Sequence, residues 1–230
     1  MQEHVRAEDP GLGGSRSAYW LPLAYLPLFL AWYFWLETRP LGGEIVVASP
    51  LDDLIPFNEW FILAYGAWFP YLLGVIAWLY WRDRTCRTEI PRFAFLLITG
   101  MTICMVGYTL WSTSTGDLRP APYPRENWAT DIVASLQAFD TPTNVFPSMH
   151  VYSSIVVAHC LWVSTYLRDR PWIRWASAAL ATVISLSTAV IKQHSILDAF
   201  GALALFLVLW ALWRVVTKAS ATRARRTVPS

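Results

Sequence analysis

The sequence is poor in charged residues. Asp, Glu, Lys and Arg make up 15% of its 230 residues, whereas soluble globular domains contain about 25%. Hydrophobic residues make up 55%, and they cluster in runs close to the roughly 20 residues that a helix needs to cross a bilayer. The composition excludes an ordinary soluble protein and predicts an all-α polytopic membrane protein.

Cysteine and net charge are also scarce. The three cysteines, Cys86, Cys104 and Cys160, form no closely spaced pair and lie within or beside apolar runs. This pattern excludes a disulfide framework and a thiolate zinc site, and it predicts small core residues. The net charge of +2 is spread over short segments, which argues against a nucleic-acid partner. We predict neither a metal nor a cofactor.

The apolar runs divide the chain into a tail, a membrane domain and a second tail. Residues 1–18 lack the compact basic segment of a cleaved signal peptide, so we predict a cytoplasmic tail there and a permanent first span. A six-span domain is predicted over 19–216, followed by a basic cytoplasmic tail over 217–230. The predicted spans are 19–36, 61–81, 93–111, 147–167, 172–191 and 195–213.

Lys and Arg are distributed unevenly between the predicted loops. The segments after spans one, three and five carry one, two and one. Those after spans two and six carry four and five, and the turn after span four carries three when the flanking Arg174 is included. Short cytoplasmic loops hold the excess of positive charge. Both termini are therefore predicted to be cytoplasmic, with the long loop 112–146 outside the inner (plasma) membrane. Tryptophans at predicted span ends fit an interfacial belt: Trp20, Trp60, Trp81, Trp111, Trp172 and Trp213.

Four ionisable residues fall where the membrane should not tolerate them. They are Arg119, His150, His194 and Asp198, and the predicted topology places all four at the outer membrane face. Ionisable groups at membrane depth are costly and mark functional sites by default. These residues are therefore the first candidates for a chemical function.

The local spacing of these residues suggests how they act. His194 and Asp198 are four residues apart, so on a helix the carboxylate can orient the imidazole and leave its other nitrogen as a nucleophile or base. Pro147 suits the first position of a helix, which places Ser148 and free N–H groups at a phosphate-binding terminus. Arg119 and Lys192 add positive charge for phosphate oxygens.

Three motifs in order resemble the type 2 phosphatidic acid phosphatase superfamily, whose pattern is KxxxxxxRP, PSGH and SRxxxxxHxxxD. Here they are Arg119-Pro120, the PSMH segment 147–150, and the His194 to Asp198 segment. The resemblance implies a six-helix bundle in which His194 forms a phosphohistidine, His150 protonates the leaving group and Asp198 orients His194. Arg119, Ser148 and Lys192 are then the predicted ligands of the substrate phosphate.

The sequence departs from the family pattern at three positions. Ser112, Met149 and Thr188 stand where the family has Lys, Gly and Arg. With these changes and the DDLIPF segment 52–57, the sequence is more similar to the branch of sphingolipid headgroup transferases, such as inositol phosphoceramide synthases. Lys192 is a candidate replacement for the missing Arg, provided that the corner around it is not helical.

The resemblance implies a lipid phosphatase that cleaves a phosphoester or pyrophosphate at the extracytoplasmic face. Transfer of the phosphoryl-linked headgroup to a lipid alcohol is the main alternative. A transporter or a non-catalytic scaffold is an alternative of another class. A zinc site formed by His150, His194 and Asp198 lacks a known ligand spacing, and a serine hydrolase using Ser148 lacks the GxSxG motif.

Other polar residues have simpler interpretations. His159 is predicted to pack inside its span. Asp52 and Asp53 suggest a helix cap, with substrate contact as the alternative. The remaining predictions are solvated loop charges (Arg125, Asp131, Asp140), hydroxyls that satisfy backbone groups (Ser187, Thr188) and a lipid-anchoring basic tail (Arg223, Arg225, Arg226).

Overall fold

The computed structural model describes residues 16–40, 42–83 and 89–226, and this part of the chain is mostly helical. The helices are α1 Arg16–Thr38, α2 Pro50–Asp53, α3 Ile62–Gly66, α4 Trp68–Arg82, α5 Glu89–Leu110, α6 Trp128–Phe139, α7 Met149–Val163, α8 Pro171–Val190 and α9 Ile196–Arg226. Short 3-10 helices lie at Glu59–Phe61 and Thr165–Leu167. Two short strands, β1 Ile45–Val46 and β2 Thr113–Ser114, pair in parallel.

Four helical stretches within the described residues are long and apolar enough to span a membrane, which indicates an integral membrane protein. They are Glu59–Arg82, Glu89–Leu110, Pro171–Val190 and Ile196–Ser220. α7 is apolar but has 15 residues, fewer than the roughly 20 that a perpendicular span requires. α1 has 23 residues with two prolines inside it, Pro22 and Pro27, and it falls outside this set. The sequence predicted six spans, and four meet the criterion of length and composition.

α7 lies at the centre of the bundle, where it packs against α5, α8 and α9. Tyr152 on α7 is fully buried, and its hydroxyl donates a hydrogen bond to the carbonyl of Leu96 on α5. A Cβ at Gly100 would lie 2.0 Å from the Tyr152 ring, so the absence of a side chain there allows the two helices to approach. This packing fixes α7, the helix whose first turn contains His150.

The long loop 112–146 folds over one end of the bundle. β2 in this loop pairs with β1, which follows α1. The Thr113 hydroxyl accepts hydrogen bonds from the backbone N–H groups of Val145 and Phe146. Arg39, at the end of α1, donates to the Tyr108 carbonyl at 2.7 Å and to Asn144 Oδ1 at 2.9 Å. The ends of α1 and α5 are thereby tied to the segment that leads into α7.

Arg125 is exposed, as predicted for a loop charge, but it also forms an ion pair that the sequence did not predict. Its guanidinium donates to both oxygens of the buried Glu59 carboxylate, at 2.8 and 2.7 Å. Asn127 adds a third bond at 2.9 Å, and its own Oδ1 caps the start of α6. A buried carboxylate needs such partners because desolvation disfavours its charge. The arrangement fixes α6 against the start of the stretch that contains α3 and α4.

Replacing Arg125 with Ala is expected to lower the melting temperature, because it leaves the Glu59 carboxylate buried without its cation. The measurement is thermal unfolding of the purified protein in detergent. Glu126→Ala removes the adjacent exposed charge and serves as the matched control. Glu59→Gln added to Arg125→Ala should recover part of the loss, and equal melting temperatures for the Arg125 and Glu126 variants would contradict this account.

Several predictions about single residues can be compared with the structure. Cys104 and Cys160 are buried, which confirms them as core residues, and Asp131 is exposed, as predicted. His159 packs against Phe206 with ring centroids 5.3 Å apart, in agreement with a packing role. Five of the six predicted belt tryptophans are exposed: Trp20, Trp60, Trp81, Trp111 and Trp172.

Other predictions are wrong or fall outside the described residues. Trp213 is 9% exposed and packs against Phe95 with ring centroids 5.2 Å apart, so it is a core residue. α9 continues to Arg226, through a segment predicted as tail. Cys86 and most of the predicted amino-terminal tail lie outside the described residues.

Candidate active site

The chain reverses direction between α8 and α9 by a Schellman motif. Lys192 has φ of +61°, the left-handed conformation that usually follows a helix end. Its N–H donates to the Ala189 carbonyl, and the N–H groups of Gln193 and His194 both donate to the Thr188 carbonyl. Thr188 and Ser187 direct their own hydroxyls to carbonyls of α8, which confirms their backbone role. The motif places His194 outside both helices.

His194 and Asp198 meet across the start of α9, because α9 begins only at Ile196. The prediction that they share one helical face is therefore wrong in its geometry. Ser195 caps the helix: its Oγ accepts from the N–H of Leu197 at 3.2 Å. Asp198 Oδ2 accepts from the Ser195 N–H at 3.0 Å and lies 3.1 Å from His194 Nδ1. Nδ1 is thus engaged by a carboxylate, which leaves Nε2 for chemistry.

His150 lies in the first turn of α7, which begins at Met149 with Ser148 as its N-cap. Pro147 therefore precedes the helix and does not occupy its first position. The Ser148 Oγ accepts from the N–H of Val151, and the Ser148 N–H donates to the Asp198 carbonyl at 3.2 Å. This last bond joins the PSMH segment directly to the HxxxD segment.

The His150 ring packs between two aromatic side chains that the sequence analysis did not single out. Ring centroids lie 4.6 Å away for Tyr65 and 4.5 Å for Trp68, and the His194 centroid is 5.9 Å away. Trp68 Nε1 donates to the Ser153 hydroxyl of α7 at 2.8 Å. Both aromatics lie in a span rich in aromatic residues, so nothing in the sequence distinguishes them.

Gly201 allows α9 to approach the segment before α7. A Cβ at this position would lie 2.5 Å from the Phe146 ring and 3.2 Å from Pro147 Cβ. Any side chain there would push the two segments apart. The glycine thereby helps to keep His150 and His194 at their observed separation.

A cavity opens beside the two histidines. Both rings line it, together with hydrogen-bonding side chains from α1, the end of the long loop and the α8–α9 corner: Tyr33, Glu37, Asp140, Thr141, Thr143, Asn144 and Gln193. Two carboxylates thus face the site, and hydroxyl and amide groups surround them. The carboxylates of this lining accept hydrogen bonds, and its hydroxyl and amide groups can both accept and donate them.

Asp140 is part of this cavity wall, which corrects its prediction as a solvated loop charge. Its Oδ2 accepts from Gln193 Nε2 at 2.8 Å, and its Oδ1 accepts from the Tyr33 hydroxyl at 3.2 Å. Burial raises the pKa of Asp140, and the nearby Glu37 carboxylate raises it further. The carboxylate charge on this wall is therefore lost at a higher pH than for a solvated aspartate.

Arg119 lies behind the cavity wall. Its guanidinium donates to the carbonyls of Gln137 and Asp140, both at 2.8 Å, at the end of α6. Burial lowers its pKa, and the Asp140 charge opposes that shift. An arginine nevertheless stays protonated in proteins. In this conformation Arg119 holds the backbone of a cavity residue and does not itself line the cavity.

Lys192 is also directed away from the histidines. The corner around Lys192 is not helical, so the condition for a contact between Lys192 and His194 is met. The Lys192 ammonium nevertheless donates to the carbonyls of Asp52 and Ile55, both at 2.6 Å. Burial lowers the pKa of Lys192, while Asp52 and Asp53 act in the opposite direction. The structure thus brings together His150, His194, Asp198 and Ser148, and directs the Arg119 and Lys192 side chains to backbone carbonyls.

Comparison with known proteins identifies the family. A model of the PAP2 superfamily matches residues 40–212, about three quarters of the chain, and this range contains all the residues just described except Tyr33 and Glu37. The chain belongs to the PAP2 superfamily. Members of this superfamily are generally phosphatases or phosphotransferases. No curated protein and no solved structure matches this PAP2 protein, and its likeness to the sphingolipid headgroup transferases stays a prediction.

Proposed function

We propose that this PAP2 protein is a membrane lipid phosphatase that acts through a phosphohistidine at His194. The observation that carries the proposal is the pairing of His194 Nδ1 with Asp198 at 3.1 Å, beside His150 and at the edge of a cavity. A carboxylate on one imidazole nitrogen fixes the tautomer and makes the other nitrogen a nucleophile.

The proposed reaction has two steps. His194 Nε2 attacks phosphorus in line, the bond from phosphorus to the leaving oxygen breaks, and His150 gives its proton to that oxygen. A water or an alcohol then attacks the phosphohistidine, and His150 takes back a proton from the attacking oxygen. Each step forms one bond to phosphorus and breaks another, and it needs neither a metal nor a redox partner. Within the described residues, no group of three or more His, Cys, Asp or Glu side chains is placed to hold a metal ion.

The start of α7 is the proposed site for the substrate phosphate. The first N–H groups of a helix have no carbonyl partner within it, and Ser148 lies beside them as the N-cap. A helix N-terminus favours an anion. Arg119 and Lys192 are the proposed sources of positive charge for this phosphate. To contact it directly, each side chain has to leave its backbone carbonyl partners and donate to a phosphate oxygen instead.

Transfer to an alcohol is the second candidate, and the cavity wall favours it. Glu37 and Asp140 line the cavity with acceptor oxygens, and a carboxylate repels phosphate but accepts hydrogen bonds from hydroxyls. The wall therefore suits either a hydroxylated leaving group or an acceptor alcohol. Water as acceptor gives a phosphatase, and an alcohol gives a headgroup transferase.

The proposal includes six spans, with α1 and α7 added to the four long apolar helices, and an active site at the extracytoplasmic face of the inner membrane. Reporter fusions after Asp131 are expected to read outside, and fusions after Asp169 inside, because the predicted loops alternate in Lys and Arg content. A cytoplasmic reading after Asp131 would contradict both the topology and the position of the site.

The activity can be tested directly with the purified protein. Labelled lipid phosphates, lipid pyrophosphates and phospholipids are incubated with and without acceptor alcohols, and the products are separated by thin-layer chromatography. Release of inorganic phosphate supports the phosphatase, and a new labelled lipid that depends on the alcohol supports the transferase. Strong inhibition by EDTA that zinc reverses would favour a metal site. No turnover of any lipid would favour a transporter or a scaffold.

A further inference from the structure

Asp52 is a buried carboxylate in α2, outside the three motifs that define the proposed catalytic residues. It is 2% exposed. The sequence suggested a helix cap here, and the structure confirms one: Asp52 Oδ2 accepts from the Ser49 N–H at 2.8 Å and completes a capping box. A four-residue helix at the surface does not by itself need a fully buried carboxylate, so the remaining partners of Asp52 are informative.

Those partners belong to the start of α9, more than 140 residues later in the chain. The Ser195 hydroxyl donates to Asp52 Oδ2 at 2.6 Å, and the Ile196 N–H donates to Oδ1 at 2.8 Å. Both groups would otherwise be polar groups buried at a helix N-terminus, where an anion is favoured. Asp52 therefore stabilises the helix start that follows His194.

One further bond connects this carboxylate to the nucleophile. Ser195 donates its N–H to Asp198 Oδ2 and its hydroxyl to Asp52 Oδ2. Asp198 Oδ2 is the same atom that pairs with His194 Nδ1. Ser195 is thus held between two carboxylates, and its position sets that of the Asp198 oxygen relative to the His194 ring.

The α2 segment also holds the chain on the other side of His194. The Lys192 ammonium donates to the carbonyls of Asp52 and Ile55, so residues both before and after His194 are anchored to 52–55. Lys192 has a left-handed backbone conformation, which a lysine adopts only at an energetic cost. Bonds from its side chain and from Asp52 help to hold this corner in its observed shape.

We propose that Asp52 is a positioning residue for His194, acting through Ser195 and Asp198 on the phosphoryl-transfer step. This inference rests on the proposed function. Asp52 does not touch the reacting atoms, so its loss should lower the rate of the chemical step and leave substrate binding nearly unchanged. A misplacement of about 1 Å can cost about 10²-fold in rate.

The test compares Asp52→Asn with Asp53→Asn. Both substitutions remove one negative charge from the same short helix, but the Asp53 side chain is exposed, so it is a matched control. Single-turnover phosphorylation of the protein by labelled substrate, together with kcat and KM, is the readout. We expect Asp52→Asn to lower the phosphorylation rate and kcat about 10²-fold at nearly constant KM, and Asp53→Asn to behave like the native protein.

Two further variants distinguish positioning from a general loss of folding. Ser195→Ala removes the link but keeps every charge, and it should also lower kcat at constant KM. The double variant Asp52→Asn with Ser195→Ala should lose less than the product of the single losses, because both act through one contact. Asp52→Glu should restore part of the rate by supplying a carboxylate.

The results that would overturn the inference are distinct from those that would overturn the proposed function. Equal phosphorylation rates for the Asp52 and Asp53 variants would overturn it. A native kcat in Ser195→Ala would also overturn the inference. This second test remains decisive if Asp52→Asn fails to fold. If the native protein forms no phosphoprotein that depends on His194, the proposed function itself fails first.

Discussion

Replacing His194 with Ala is expected to reduce turnover to the uncatalysed background, a loss on the order of 10⁶-fold, as when a covalent nucleophile is removed from a catalytic unit. The reason is that the His194 imidazole is paired with the Asp198 carboxylate and lies beside both His150 and the cavity. The measurement is single-turnover cleavage of a lipid phosphate by the purified variant, with its melting temperature recorded alongside.

His159→Ala is the matched control for this loss. His159 packs against Phe206 and Trp210 within the bundle, so its removal should change stability more than the rate of the folded protein. Substantial turnover by a folded His194→Ala protein would show that the nucleophile is another group. Loss of turnover in Ser148→Ala, with labelling of Ser148 by a fluorophosphonate in the native protein, would favour the serine hydrolase.

Replacing His150 with Ala is expected to have an effect that depends on the leaving group. A general acid contributes about 10²–10⁴-fold, and this contribution matters most for an alkyl alcohol, which leaves poorly without a proton. A nitrophenolate leaves almost unaided. His150→Ala should therefore lose most of its phosphorylation rate on an alkyl lipid phosphate and recover much of it on a nitrophenyl phosphate.

The comparison of both histidine variants on both substrates makes this prediction specific. His194→Ala should stay inactive on the nitrophenyl substrate, because an activated leaving group does not replace a nucleophile. Equal losses for His150→Ala on the two substrates would show that His150 binds phosphate and does not donate a proton. Rescue of His194→Ala by the activated substrate would show that the assignments of nucleophile and general acid have to be reversed.

The sequence predicted the membrane class of the protein, and it singled out histidines that the structure brings together, because the signals for both are local. Long apolar runs reflect the length of a membrane span. The PSMH and HxxxD segments each place their polar residues within one turn or corner. The meeting of His150 and His194, by contrast, depends on the Ser148 bond to Asp198 and on the close approach at Gly201, which a single sequence does not display.

The sequence analysis did not find the distant partners of several polar side chains. Arg125 and Asp140 lie in a polar loop, and nothing local indicates that Glu59 or Tyr33 will meet them. Arg119 and Lys192 are suited to phosphate by charge, but the structure directs them to carbonyls. α6 had a readable signal in the Asn127 cap and the apolar positions 129, 133 and 136, and it was missed within a long loop.

The central claim is that phosphoryl transfer proceeds through His194, and trapping the intermediate tests it most directly. The protein is mixed with lipid substrate labelled in its phosphate, quenched within the first turnover, and digested to locate the label. The account predicts a phosphoprotein that is stable in base and labile in acid, with the label on His194 and with no label in His194→Ala. A base-labile label on Ser148, or turnover of the substrate without any labelled protein, would contradict it.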